Sequence, residues 1–487
     1  MYDLHYSAEQ GAHLGIRLAV RGIHTLLGIF LVAISTCSLA QTTSESILIR
    51  NVTPLDARDG IKPVQDVLIR RGIIDQMGQG LNPPESARAI DGTGLFLSPG
   101  LWDMHIHLSY DPRLSASMGE RFLDYGITSV RDTGGNLEIL KPILKAMRAQ
   151  GAQAPRVFFA GPLLDGEPVV YSGEGHAALG TGIRSVAAAR AKVRALAETG
   201  VDFIKIYEMV SPEIFDALVD EAERHELPIA AHVPLSMLAS AAGPRTQSLE
   251  HLRNIELDCA ADAEALLKTR RAELAAGRNE PGMELRSQIH REQRDRAIAN
   301  EDPLRCDRVL ASLGNSIQVP TARLNAMTQY PPFERDDWLE ALSDLPTAVQ
   351  DEWRKAPQYM DPTSYRAQGE WTLKMIARLA AQHIDIGAGT DTPIGWAIPG
   401  YSLHNELSIL VSAGLSPRTA LAAATTVPAA FFQLTGSLGR VAPGYQADLL
   451  LLGANPLEDI ENTRQIRAVF SRGELVRETP GTALPAR

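Results

Sequence analysis

Along the chain, short apolar runs alternate with longer, more polar stretches that read as helices. Eight runs have the length of buried strands: residues 102–107, 128–131, 156–160, 203–207, 229–232, 248–251, 317–319 and 384–388. Helix-like segments separate most of them, among them 139–149, 186–199 and 212–226. Alternating strand and helix implies a parallel sheet, and eight such units predict an α/β protein closed into a (β/α)8 TIM barrel. Active residues of such barrels stand at the C-terminal ends of different strands.

Outside that stretch the pattern is β throughout. Runs at 46–51, 66–70, 89–91 and 95–97 precede the first barrel strand, and runs at 448–452, 466–470 and 474–476 follow the last helix. Neither flank has enough strands to stand alone. Residues 41–98 and 436–487 are therefore predicted to pair into one small β-sandwich beside a barrel spanning 99–435. From about 257 to 368 the alternation gives way to a helical insertion. Its first part is charged, with Leu266, Leu267, Leu274, Ile289 and Leu310 as scattered apolar anchors, and 338–353 is acidic. Two readings stand here, a lid over the site or an outer helical layer with solvated charge.

The ends of the apolar runs carry the candidate chemistry. His105 and His107 are two apart on a strand, so their imidazoles share a face. Lys205 lies inside the apolar run Val201-Asp-Phe-Ile-Lys-Ile-Tyr207, where an ammonium must be paired, snorkel to the surface or be chemically altered. His232, His251 and Asp391 each close another run. Any one of these alone reads as a satisfied core or loop residue; their recurrence at strand ends points to a shared site.

In this order the motifs resemble the amidohydrolase superfamily, in its imidazolonepropionase-like and prolidase-like branch, from about Ser46 to about Val476. The resemblance implies two divalent ions, zinc foremost. His105 and His107 would bind the more buried ion and His232 and His251 the second. Lys205 would bridge both as a carbamate, and Asp391 would touch metal and water. The chemistry so implied is hydrolysis of an amide or ester, in which the ions activate a water and polarise the carbonyl while Asp391 relays the proton to the leaving group.

Substrate contacts are expected from two further residues. Gly173-Glu-Gly-His176 resembles a family loop that reaches the substrate carbonyl or carboxylate, which would let His176 donate to a developing oxyanion; a surface-loop histidine is the alternative. Tyr207 shares a strand face with Lys205 and could donate a hydrogen bond to substrate. The continuation Ile206-Tyr-Glu-Met-Val-Ser-Pro departs from the small, Gly-rich loop of prolidases, so a strict Xaa-Pro dipeptidase is not implied. His225 and His383 read as helix-end residues, His290 as part of a charged face, and His404 as structural.

Composition narrows the partners and the compartment. With 487 residues, 45% hydrophobic and 22% charged, the chain has an ordinary globular balance. A net charge of −11 and the lack of a long basic run argue against nucleic acid, leaving a small molecule or short peptide as substrate and a homo-oligomer as an open question. Arg17 and Arg21, the apolar stretch 26–34 and Ser38-Leu-Ala40 match a signal peptide over residues 1–40, which predicts a periplasmic or secreted enzyme with no stable membrane association afterwards. The mature chain would keep Cys259 and Cys306, both in the insertion, whose pairing the sequence leaves open. An amide hydrolase acting on a small peptide, N-acyl amino acid or cyclic amide is thus expected. Its alternatives are a lactone or phosphotriester hydrolase, or a non-catalytic barrel that only binds.

Overall fold

The computed structural model describes residues 46–173, 175–360 and 365–478. The expected signal peptide lies outside the described residues. Two parallel sheets form the centre of the molecule. In one, β1 (Leu101–Ile106), β2 (Ile127–Asp132) and β3 (Arg156–Phe159) pair in chain order. The other contains β4 (Leu163–Asp165), β5 (Gly180–Gly182), β6 (Ile204–Ile206), β7 (Ile229–Ala231), β8 (Ser248–Glu250) and β9 (Ile317–Val319), in the order β5-β4-β6-β7-β8-β9.

Seven of the eight expected runs are strands. The eighth is not. Residues 384–392 make only isolated parallel bridges, Ile386 to Gln318 of β9 and Thr392 to Ile106 of β1, so the ladders do not form a single closed ring of eight strands. The reason lies in Gly387 and Gly389, which press this segment against β1: a Cβ on Gly387 would stand 2.4 Å from Met104 Sδ, and one on Gly389 2.7 Å from the Cβ of His105. Backbone bonds Met104 N to Ala388 O and Gly387 N to Gln318 O, both 2.9 Å, still tie the segment to both sheets. The whole is TIM-barrel-like.

The helices around it start and stop where their side chains dictate. Ser185 caps Val186–Thr199 by accepting from Ala188 N, and Gly200 ends that helix in the left-handed region at φ 79°. Ser211 and Pro212 open Pro212–Arg224 in the same way.

The two flanks meet through antiparallel pairing of Phe96–Pro99 with Leu449–Leu452. Hydrogen bonds join them into one nine-stranded sheet rather than two separate ones. Its long strand Ile47–Asp56 is shared: Gln65–Arg70 and Arg88–Asp91 pair mainly with its first half, and Phe96–Pro99 and Gly60–Ile61 with its second. Ile49, Val67, Ile90, Leu449 and Phe470 belong to its own buried apolar cluster.

The insertion is helical, with Ala263–Ala276, Gly282–Ala299 and Pro303–Ser312 before β9. A disulfide joins Cys259 to Cys306, and both are fully buried. Among the described residues no helix is long and apolar enough to cross a membrane.

Candidate metal centre

All six residues expected as ligands line one cavity of about 170 Å³. His105 and His107 come from the end of β1, Lys205 from β6, and His232 and His251 from the residues just after β7 and β8. Asp391 comes from the glycine-rich segment. His251 and Asp391 both have φ of 62°, a backbone region uncommon for non-glycine residues and concentrated at functional sites. Asp103 helps to hold Asp391 in place, accepting from Thr390 N at 3.0 Å, Thr390 Oγ1 at 2.6 Å and His105 N at 3.1 Å.

Each imidazole is fixed by its Nδ1. His107 Nδ1 meets the Gly134 carbonyl at 2.8 Å, His105 Nδ1 meets Glu250 Oε2 at 2.6 Å and His232 Nδ1 meets Glu208 Oε1 at 2.8 Å. His251 Nδ1 lies 2.6 Å from Thr321 Oγ1, whose own hydrogen goes to Pro320 O. Carbonyls and carboxylates only accept, and the Thr321 hydroxyl has already spent its proton. All four Nδ1 atoms are therefore donors, which leaves the four Nε2 atoms as the inward-facing ligand positions. Burial, reinforced by the Lys205 charge, pushes His232 down to about 3; burial and then the His105 charge hold His251 well below the usual range. These two imidazoles are neutral donors suited to a metal.

Two buried atoms at the centre lack partners. Lys205 Nζ has no hydrogen bond, and burial lowers its ammonium to about 8. Asp391 Oδ1 sits 3.1 Å from His107 Nε2 and 3.3 Å from His105 Nε2 without a hydrogen bond to either. Burial opposes ionisation of Asp391, yet its carboxyl lies well below the ordinary range, an acidity that the positive charge of His251 and His105 would supply and that a cation at the same place supplies when the rings are neutral. A carboxylate oxygen facing two bare ring nitrogens is repulsive unless a cation joins them. The ligand atoms of His105, His107 and Asp391 all lie within 4.8 Å of one another, and the His251 ring stands 4.5 Å from His105 and 4.8 Å from His232, centroid to centroid. The donor set fits divalent ions.

The acids behind the ligands were not singled out from sequence. Arg131, fully buried, donates to Glu250 Oε1 at 2.8 Å, and Glu250 in turn orients His105. Against a burial cost that raises its pKa, the Arg131 charge keeps Glu250 ionised. Glu208 orients His232 and binds two residues of the Gly282–Ala299 helix: Arg286, at 3.1 and 3.0 Å to Oε1, and His290, at 2.7 Å to Oε2. His290 is thus buried in the cavity wall and not on a solvated charged face, because Glu208 and Arg294 NH2, 2.7 Å from its Nδ1, supply partners from within. The signal available was position: Glu250 precedes His251 and Glu208 follows Lys205 by three.

Tyr207 lines the cavity with its ring 4.4 Å from that of His232. His176 is not among the lining residues; its Nε2 engages Val170 O at 2.7 Å and its ring packs on Tyr171, which does line the cavity. His404 is structural as expected, bonded to Thr463 and to the Tyr125 carbonyl, and His225 caps its helix.

The amidohydrolase family model matches residues 96–266 and 372–476. A dihydroorotase from Citrifermentans bemidjiense is 46% identical over 69 residues, which is 14% of this chain and 16% of that protein's length. Among solved structures, a bottromycin amidohydrolase superposes with a TM-score of 0.63 at 21% identity, covering 88% of this chain and 86% of its own. A Xaa-Pro dipeptidase with bound methionine gives 0.62 at 19% identity, covering 89% of this chain and all of its own.

Proposed function

Because the chain belongs to the amidohydrolase family, we propose that it is an exported, binuclear metal-dependent hydrolase that cleaves an amide bond in a small peptide, N-acyl amino acid or cyclic amide. The observation that carries this reading is the convergence of four anchored imidazoles on Asp391 Oδ1 and Lys205 Nζ, two buried polar atoms with no hydrogen-bond partner. His105 and His107 would hold one ion with Asp391, His232 and His251 the other, and Lys205 would join them as a carbamate. When bound, the ions, zinc foremost for imidazole donors, supply Lewis acidity toward a carbonyl and activate a water.

The chain's own groups carry the rest. The Asp391 carboxylate takes the proton of the attacking water and returns it to the departing nitrogen, so the amine leaves neutral. Glu208, Glu250, Gly134 and Thr321 keep the rings from turning. Tyr207, in the cavity wall, offers a hydrogen bond to the substrate. The covering helix Gly282–Ala299 limits entry of water. Export is supported by the buried Cys259–Cys306 disulfide, a bond that persists outside the reducing cytosol. The same reading takes the N- and C-terminal flanks as one β domain beside the TIM-barrel-like centre that carries the site.

Purified protein reconstituted with Zn2+ should hold two equivalents and hydrolyse members of a panel of N-acyl amino acids and dipeptides, and a chelator should remove both properties. Lys205→Ala should lose metal and turnover together, with partial return on adding short carboxylates that refill the bridge. Near-normal metal content and turnover in Lys205→Ala would rule out the binuclear carbamate centre.

A further inference from the structure

The cavity has a second wall, and its charge is lopsided. Arg253, Arg286, Arg291 and Arg294 all face the cavity, whereas Asp391 is the single carboxylate among the described lining residues. Behind the wall stand two buried acids, Glu208 and Glu256. Glu256 receives Arg294. Glu208 is already filled: Oε1 accepts from His232 and twice from Arg286, and Oε2 accepts from His290 and, at 3.5 Å, from Asn254 Nδ2. A carboxylate has about four lone-pair positions, so nothing is left for another donor.

Arg253 is the residue left short. It follows His251 by two positions, and its NH1 approaches Glu208 Oε1 only to 3.9 Å. Its Nε is buried and has no hydrogen-bond partner. A buried, unpaired donor on a charged group is costly, and a guanidinium fork matches a carboxylate in two parallel hydrogen bonds. Beside these arginines the cavity has an apolar and aromatic lining of Leu163, Met283, Tyr171 and Tyr207.

We propose that Arg253, backed by the arginines of the Gly282–Ala299 helix, is the receptor for a carboxylate on the substrate, and that the substrate is an N-acyl amino acid or short peptide with an apolar side rather than an uncharged cyclic amide. This rests on reading the cavity as the site of an amide hydrolase, and binding is measured so that the two can fail separately. Calorimetry on the Zn2+-loaded protein would compare N-acetyl-L-phenylalanine with neutral N-acetyl-L-phenylalaninamide. The expected result is at least tenfold tighter binding of the acid. That preference should vanish in Arg253→Met and be partly kept in Arg253→Lys, with zinc content retained in both. Equal binding of the two ligands by the wild type would overturn the proposal. So would a preference that survives in Arg253→Met, since the metals themselves would then hold the carboxylate. Arg253-dependent binding without hydrolysis of any acyl amino acid would leave the receptor standing and refute only the hydrolase reading.

Discussion

The two walls of the cavity are built by opposite means. The ligand wall draws single side chains from the ends of β1, β6, β7 and β8, with each histidine ring pinned at Nδ1. The helix wall uses long, flexible side chains from one insertion, held by shared acids. Strand ends fix positions to the tolerance that metal coordination demands; arginines on a helix set charge and reach. Chemistry should therefore fail when the first wall is altered, and selectivity when the second is.

The largest expected effect short of losing the ions comes from Asp391→Asn. The remaining ligands still hold most of the metal, but the carboxylate that accepts the proton is gone, so kcat should fall on the order of 10²–10⁴ with KM little changed. Steady-state kinetics with parallel metal analysis separate the two quantities. A fully active Asp391→Asn would remove this residue from proton transfer and blur the distinction between the walls.

Glu208 belongs to both walls, and its loss should show in both. Glu208→Gln keeps the shape but cannot accept from His232, Arg286 and His290 at once, and it strands Arg286 beside Arg253. Metal affinity should fall about 10–100-fold, the usual cost of losing such a partner, and KM for acidic substrates should change as well. Zinc titration and a substrate series would measure these. A change in metal affinity alone would mean that the helix is held independently of the ligand His232.

How far the walls were legible in the sequence follows the same division. His105, His107, Lys205, His232, His251 and Asp391 end short apolar runs, and a strand's period places their side chains without knowledge of anything distant. The eighth run failed as a strand because Gly387 and Gly389 serve close packing on Met104 and His105, contacts 283 and 284 residues away along the chain that leave no local trace. The helix wall was hidden for another reason. In Gly282–Ala299 the buried face carries Arg286, Ser287, His290, Gln293 and Arg294, so the usual rule that polar residues face water is reversed. Partners supplied from other elements, among them Glu208, Glu256, Gln368 and Arg270, make that reversal stable. The pairing of Cys259 with Cys306 was likewise beyond reach, since spacing says nothing of distance.

The smallest effect on chemistry should come from that disulfide. It closes a loop of sequence separation 47 that includes the whole Gly282–Ala299 helix, yet neither sulfur lines the cavity. Replacing both cysteines by serine removes a constraint on the unfolded chain worth about 2–4 kcal/mol, and it leaves two hydroxyls in a buried apolar cluster. Thermal unfolding should begin several degrees lower. Zinc content and kcat should stay near those of the wild type, because Glu250, Gly134, Glu208 and Thr321, which pin the rings, all lie outside the loop that the disulfide closes, whereas KM for acidic substrates should rise a few-fold as the helix wall loosens. If zinc content fell in step with the unfolding temperature, the two walls would be one cooperative unit, and the separation of chemistry from selectivity would not hold.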